Sequence, residues 1–441
     1  MKRLLPLLLC AVLALFCATT AQAAGVSITL TASEYALHYA FDAGAQDPFV
    51  ILEYATPAEK GWMMLYSADG HFEGDVSLTY SGAGGKTSVA LTSARTTGSI
   101  GKASTTLPKA ADYQKPTGKS NAKVTDFVLT ETPEGFHYAF NAIGTDYMLL
   151  YWRSKEQTVT QPVYPDENGH YEGDVVSELT FARTQFTVQV KSGSGSMKKE
   201  ATVRKGYQAP EAPQRQEGRL SGVTVCIDAG HQENGRFVNE PIGPGLTGST
   251  SGKGGMAQGT KTNRRESIVC LEIGMLLRDE LLRQGANVVM TREDQTTFHT
   301  NIERCEIAEA GGAQIMLRLH CNNSSNRSKR GIQVYGPLNS DYAKAVADAD
   351  TYREMGQKLL DAMKTRVGMT LANSTGMVRL NDNYVGNNWA KMMCFLVEMG
   401  YLSNPAEEYL LVTPVYQQWL AEGMADGVYE IAVARGWVQA Q

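Results

Sequence analysis

From about Leu220 to the C-terminus, apolar strands alternate with stretches of helical periodicity, and this pattern constrains the fold most strongly. Short β-branched runs predict buried strands, whereas apolar residues spaced three and four apart predict helices. The alternation is typical of an α/β domain with a mostly parallel twisted sheet flanked by helices. The predicted helices span residues 266–284, 353–366 and 416–434, and the predicted strands span 223–227, 287–291, 315–319, 332–335 and 394–397.

The N-terminal half contains one module twice. LHYAFDA at Leu37 returns as FHYAFNA at Phe136, and DGHFEGDV at Asp69 returns as NGHYEGDV at Asn168. Alternating polar and apolar residues between Gly, Asn and Asp turns predict short antiparallel strands. Each copy is therefore expected to be an all-β, sandwich-like module. The predicted organisation is a first copy at 25–117, a second copy at 118–210, a linker at 211–219 and the α/β domain at 220–441.

The N-terminus has the composition of a secretory signal peptide. Lys2 and Arg3 precede an apolar run, and the segment AQA that ends at Ala23 fits a small-residue cleavage site. Residues 1–23 are therefore expected to be removed, which leaves a secreted or cell-envelope protein without a membrane span. The alternative, a membrane anchor, needs about 20 apolar residues and would lack the AQA site.

Charge and cysteine content exclude some classes of function. The chain has 41 Lys and Arg against 46 Asp and Glu, a net charge of −5, and no basic run, which argues against a nucleic-acid partner. Two of the seven cysteines lie in the predicted signal peptide. The other five are an odd number embedded mostly in apolar runs, so they predict buried thiols and no disulfide framework. Nothing in the sequence indicates an oligomeric state.

Three predicted strands lead to a potential ligand or acid/base residue: His231, His320 and Glu398. In open α/β sheets, ligands bind beyond the carboxyl ends of the strands, so these side chains are expected in one crevice. A catalytic zinc ion typically takes three protein ligands and leaves a fourth position open. Glu266 begins a predicted helix and is a candidate third ligand, although the helix dipole alone also favours a glutamate there.

The motifs IDAGH, RRESIVCLEIG, NIERCEIAEAGGAQIMLRLHCNN, RGIQVYG and FLVEMGYLSNPAEEYLL occur in this order over residues 220–441, about half the chain. This region resembles the zinc-dependent N-acetylmuramoyl-L-alanine amidases of the amidase 3 type, which are peptidoglycan hydrolases. The resemblance implies one zinc ion bound by His231, Glu266 and His320, with Glu398 as the catalytic residue. It implies cleavage of the amide bond between N-acetylmuramic acid and L-alanine of the stem peptide by zinc-activated water.

Four residues are weaker site candidates. Asp228 is expected to orient His231 or its turn, and Arg304, Arg318 and Asn322 are expected either to line the substrate crevice or to have ordinary structural roles. A Gly-rich insertion at 234–263 departs from the family pattern and predicts a mobile loop or lid.

Two other functions stay open at this point. A zinc peptidase would cut within the stem peptide, and a non-catalytic cell-wall-binding protein would bind the wall without turnover. The β modules are expected to hold the enzyme on peptidoglycan or another wall polymer, or to act as spacers. Because no carboxylate cluster is expected at ligand spacing beside both copies, a structural role is predicted for the repeat histidines, which are His38, His71, His137 and His170.

Overall fold

The protein is described by a computed structural model. Residues 1–18 and 22–24, which include most of the predicted signal peptide, lie outside the described residues. The described residues are 19–21, 25–33, 36–56, 60–78, 84–109, 123–132, 135–143, 148–153, 158–163, 165–176, 184–192, 198–205, 209–232, 238–250, 255–368 and 378–440.

The first module contains two four-stranded antiparallel sheets that share one apolar core. Its strands are β1 (Thr19–Ala21), β2 (Ile28–Ala32), β3 (Ala36–Asp42), β4 (Phe49–Ala55), β5 (Lys60–Tyr66), β6 (His71–Ser77), β7 (Gly85–Ser93) and β8 (Ser99–Leu107). The sheet orders are β1-β2-β3-β6 and β5-β4-β7-β8. In β3 and β8 alternate residues are buried, as expected for strands with one solvated face.

The second module also has two antiparallel sheets around one core. Its strands are β9 (Lys123–Thr132), β10 (Gly135–Ile143), β11 (Met148–Arg153), β12 (Thr158–Val163), β13 (His170–Val176), β14 (Thr184–Ser192) and β15 (Lys198–Lys205). The orders are β13-β10-β9 and β12-β11-β14-β15. Matched positions make matched contacts, since Phe41 stacks on Phe72 in the first module and Phe140 stacks on Tyr171 in the second.

Carboxylates lie beside the repeat histidines in both copies, and the structural role of these histidines stays a prediction. Antiparallel pairing of β3 with β6, and of β10 with β13, brings together residues that are far apart in the chain. None of these groups, among the described residues, has the spacing of a metal site. The shortest ion pairs are His38–Asp75 at 3.1 Å, His71–Asp42 at 2.6 Å, His137–Asp174 at 2.9 Å and His170–Glu172 at 3.8 Å.

The C-terminal region contains a six-stranded sheet with helices. The strands of the region are β16 (Thr224–Ala229), β17 (Glu240–Pro241), β18 (Ser249–Thr250), β19 (Asn287–Met290), β20 (Ile315–Asn322), β21 (Gln333–Gly336), β22 (Val378–Leu380) and β23 (Met393–Tyr401). The helices are α1 (Glu266–Arg283), α2 (Asn301–Ala310), α3 (Asp341–Val346), α4 (Ala349–Val367), α5 (Val385–Trp389), α6 (Glu407–Leu411) and α7 (Pro414–Ala434).

The sheet is mostly parallel, as predicted from the sequence, and one antiparallel pair makes it mixed. Its order is β19-β16-β20-β23-β21-β22, with parallel pairs except for β21 against β23. Only a short loop, from residue 323 to 332, connects β20 to β21, and a parallel return needs a crossover of a dozen residues or more. The other five strands of this sheet were predicted from the sequence, whereas β22 was not.

The described part of the Gly-rich insertion contains secondary structure. Strands β17 and β18 form a small antiparallel hairpin. The buried Glu240 carboxylate accepts hydrogen bonds from the backbone N–H groups of Asn301 and Ile302, at 3.2 and 2.8 Å. The first N–H groups of a helix have no partner within the helix, so Glu240 stabilises the start of α2. Residues 238–250 thus contain a hairpin attached to α2, and the mobility of the insertion stays a prediction.

The chain divides into two compact units. One unit contains residues 1–93 and 98–115, and the other contains residues 94–97 and 116–441. The five cysteines outside the predicted signal peptide are buried and unpaired, which confirms the prediction of buried thiols without a disulfide framework. Within the described ranges, no helix is both long enough and apolar enough to cross a membrane.

Candidate metal and catalytic site

His231, Glu266 and His320 converge at the carboxyl end of the central strands. His231 follows β16, His320 lies near the end of the neighbouring β20, and Glu266 is the first residue of α1. Glu266 Oε1 lies 3.2 Å from His231 Nε2 and 3.0 Å from His320 Nδ1. Among the described residues, these three form the only His/Cys/Asp/Glu group whose ligand atoms all lie within 4.8 Å of one another.

Both carboxylate oxygens of Glu266 are held by backbone donors. Cys321 N donates to Oε1 at 3.0 Å, and Ala257 N donates to Oε2 at 2.7 Å. Burial raises the pKa of Glu266, but hydrogen bonds from His231 and His320 outweigh it, so the pKa is lowered overall. The carboxylate is therefore ionised and fixed in orientation, as a metal ligand should be.

The turn that carries His231 is held by two buried arginines. His231 has a left-handed backbone, with φ of 56°, which is uncommon for a residue other than glycine. Arg292 donates to the carbonyl oxygens of Ala229 and Gly230, and Arg304 donates to those of Ala229 and His231. The sequence analysis missed Arg292, although this residue also follows a predicted strand.

Gly230 allows this turn to lie directly on β20. A Cβ atom at this position would lie 2.5 Å from Leu319 O and 2.6 Å from His320 Cε1. Both distances are too short for a real contact, so only glycine lets the two strand ends approach closely. This close approach brings the His231 and His320 rings to a centroid distance of 4.9 Å.

Asp228 is fully buried and forms an ion cluster beneath the turn. Its Oδ1 accepts from Arg304 Nη1 at 2.5 Å and from Thr291 Oγ1 at 2.8 Å, and its Oδ2 accepts from Arg318 Nε at 2.8 Å. Burial raises the pKa of Asp228, but the charges of Arg304 and Arg318 outweigh it, so the pKa is strongly lowered. Arg304 links Asp228 to the His231 turn, because it binds the Asp228 carboxylate and also donates to the carbonyl oxygens of that turn.

Both guanidinium groups of this cluster lie in the interior. The side chains of Arg304 and Arg318 are 4% and 5% exposed. This burial favours a structural role for the two arginines over direct contact with a substrate. Asn322 is different, because it is partly exposed at the end of β20.

Glu398 lies beside the three candidate ligands but outside their group. In the parallel β20–β23 pair it is directly opposite His320. The residue is partly exposed, yet its Oε2 atom is buried and has no hydrogen-bond partner. Burial, and then the charge of Glu266, raise the pKa of Glu398 well above its ordinary value. A raised pKa makes the carboxylate a stronger proton acceptor, which suits a general acid–base residue.

The donor set fits a zinc ion. Two imidazoles and one carboxylate are common ligands of a catalytic zinc site. His320 Nε2 is buried without a hydrogen-bond partner. Burial lowers the pKa of His320, which favours the neutral imidazole that binds metals.

Glu408, which the sequence analysis missed as a site residue, holds the segment before α1. Its fully buried carboxylate accepts from Lys261 N at 2.8 Å and from Thr262 N at 3.2 Å. This segment folds back on itself, because Gln258 pairs with Arg265. This conformation of the segment lets Ala257 N donate a hydrogen bond to Glu266 Oε2. Glu408 therefore supports the ligand indirectly.

We expect Glu408→Gln to weaken zinc binding about 10-fold, because groups that orient a ligand typically change metal affinity by about 10–100-fold. Competition between the metal-free protein and a chelating dye would measure the affinity. Glu430→Gln, on the exposed side of α7, is the matched control. Equal affinities for the two variants would contradict this role of Glu408.

Comparisons with known proteins identify related amidases. The family Amidase_3, described as N-acetylmuramoyl-L-alanine amidase, matches residues 225–430. A germination-specific N-acetylmuramoyl-L-alanine amidase of Bacillus subtilis is 26% identical over 231 residues, which cover 49% of this chain and 83% of that protein. A probable cell wall amidase of Staphylococcus aureus, LytH, is 27% identical over 218 residues, which cover 48% of this chain and 60% of that protein.

A solved N-acetylmuramoyl-L-alanine amidase from Clostridium difficile 630 aligns with 48% of this chain and 96% of its own, at 24% identity and a TM-score of 0.38. The family match covers the region that contains His231, Glu266, His320 and Glu398. Residues 225–430 of this chain therefore belong to the N-acetylmuramoyl-L-alanine amidase family, Amidase_3.

Proposed function

We propose that the protein is a secreted, zinc-dependent amidase that cleaves the bond between N-acetylmuramic acid and L-alanine of the peptidoglycan stem peptide. The observation that carries this proposal is the group of His231, Glu266 and His320, with the unpartnered Glu398 carboxyl beside it. The relatives support the substrate class through their names, which describe cell wall and N-acetylmuramoyl-L-alanine amidases.

His231, Glu266 and His320 would hold the zinc ion. When bound, the ion supplies a Lewis acid that polarises the amide carbonyl and lowers the pKa of nearby water. The Ala257 and Cys321 N–H groups keep Glu266 in place for this task. Arg292 and Arg304 do the same for the His231 turn through its carbonyl oxygens.

Glu398 moves the proton. Its carboxylate takes a proton from water as the oxygen of that water attacks the amide carbon. The C–N bond then breaks, and the same carboxyl group gives the proton to the leaving nitrogen of L-alanine. The raised pKa of Glu398 suits the second step, because a more basic carboxylate holds the proton until the amine needs it.

The two β modules would hold the enzyme on peptidoglycan or another wall polymer. Each has a solvated sheet face that carries imidazole and carboxylate groups. Binding of the full chain and of residues 209–441 to purified walls would measure their contribution.

Digestion of purified peptidoglycan by the zinc-loaded protein tests the proposed function. We expect free stem peptides with L-alanine at the N-terminus and glycan chains without peptide. A product with L-alanine still attached to the sugar would identify a peptidase instead. Wall binding without metal or turnover would identify a non-catalytic wall protein.

A further inference from the structure

Three neighbouring strands place polar residues in one row across the sheet. His320 is opposite Glu398 in the β20–β23 pair, and Gln333 is opposite Glu398 in the β21–β23 pair. Directly opposed residues of a sheet project on the same face, with Cβ atoms about 5 Å apart. Gln333 therefore flanks Glu398 on the side away from the candidate zinc ligands.

The orientation of the Gln333 side-chain amide is fixed. Its Oε1 accepts from Asn322 Nδ2 at 3.2 Å and from the Tyr335 hydroxyl at 2.5 Å. Asn322 is itself oriented, because its Oδ1 accepts from Asn323 N at 2.8 Å. Two donors on one oxygen leave the NH₂ group of Gln333 facing away from them.

The Tyr335 ring that supports this orientation is also held in place. Tyr335 is buried and packs against Tyr384, with ring centroids 5.2 Å apart. No acceptor within the described ranges bonds to Gln333 Nε2. The protein thus presents an oriented and unused N–H donor next to the proposed acid/base residue.

We propose that Gln333 binds the substrate by donating a hydrogen bond from Nε2 to a carbonyl oxygen adjacent to the scissile amide. This inference rests on the proposed function. A neutral N–H donor suits a carbonyl acceptor, and a stem peptide joined to a lactyl group offers such oxygens along its chain. The bond exists before and during the reaction, so Gln333 is a substrate-positioning residue that acts mainly on KM.

Two substitutions separate the donor from the acceptor of this side chain. Gln333→Glu keeps an oxygen for Asn322 and Tyr335 but removes the donor, and Gln333→Met removes both without adding charge. With a soluble N-acetylmuramoyl peptide as substrate, we expect both variants to raise KM about 10-fold. For Gln333→Met, which adds no charge opposite Glu398, kcat should change less than about 3-fold. Zinc affinity should stay near the wild-type value in both variants.

Tyr335→Phe is the matched control, because it removes one support of the Gln333 amide but leaves the donor in place. Its KM should rise less than that of either Gln333 variant. Wild-type KM in both Gln333 variants, with an active wild-type enzyme, would overturn the role of Gln333 alone. A loss of stability in Gln333→Met without a rise in KM would do the same. An inactive zinc-loaded wild type would reject the proposed function and this inference together.

Discussion

Replacing Glu398 with glutamine should remove nearly all turnover and leave the zinc ion in place. General acid–base catalysis typically contributes about 10²–10⁴-fold to the rate, so we expect kcat to fall about 1,000-fold. Glutamine has almost the same shape but neither takes nor gives the proton. Zinc binding should persist because Glu398 lies outside the ligand group. Release of stem peptide, measured beside metal content for the same preparations, checks both halves of this expectation.

Glu309→Gln is the matched control for this change. It makes the same substitution at an exposed glutamate that pairs with Lys391 at 2.8 Å, and it should leave kcat unchanged. A second comparison is Glu266→Gln, which should lose both the metal and the activity because it alters a ligand. If Glu398→Gln behaved like Glu266→Gln, Glu398 would be a ligand and the proposed division of roles would be wrong.

The positions of the site residues could be predicted because the information is local in the sequence. An apolar strand that ends in a histidine or glutamate is visible within a few residues, and the topology of an α/β sheet then brings such ends to one edge. This signal found His231, His320 and Glu398, and it could also have found Arg292, which lies just after β19. Helix α1 was predicted with nearly its observed bounds because its apolar periodicity is long.

The supporting contacts could not be predicted because they join distant parts of the chain. Glu408 bonds to residues about 150 positions away, and Gln333 becomes part of the site only when β21 pairs antiparallel with β23. Glu240 lies in an insertion whose glycines suggested mobility, yet its carboxylate caps α2 some 60 residues later. The carboxylates beside the repeat histidines depend in the same way on strand register. Local pattern locates the candidate ligands, whereas contacts between distant parts of the chain locate the residues that support them.

Asp228→Asn should destabilise the C-terminal domain by about 3–5 kcal/mol, the usual cost of removing one partner from a buried ion pair. The substitution leaves the Arg304 and Arg318 guanidinium groups buried without their counter-charge. Arg304 would also hold the His231 turn less firmly, so zinc affinity should fall with stability. Urea unfolding, monitored by hydrogen exchange in peptides from β16 and β20, measures the stability of this domain alone. Glu309→Gln, which breaks an exposed pair, should cost less than about 1 kcal/mol.

The pH dependence of this difference follows from the lowered pKa of Asp228. A carboxyl group whose pKa is lower in the folded state stabilises the fold above its unfolded pKa, and this contribution is lost as pH falls towards the folded value. The stability gap between wild type and Asp228→Asn should therefore stay constant from about pH 6 to 8 and narrow only in strong acid. A gap that closed near neutral pH would show that Asp228 is not held ionised by the two arginines.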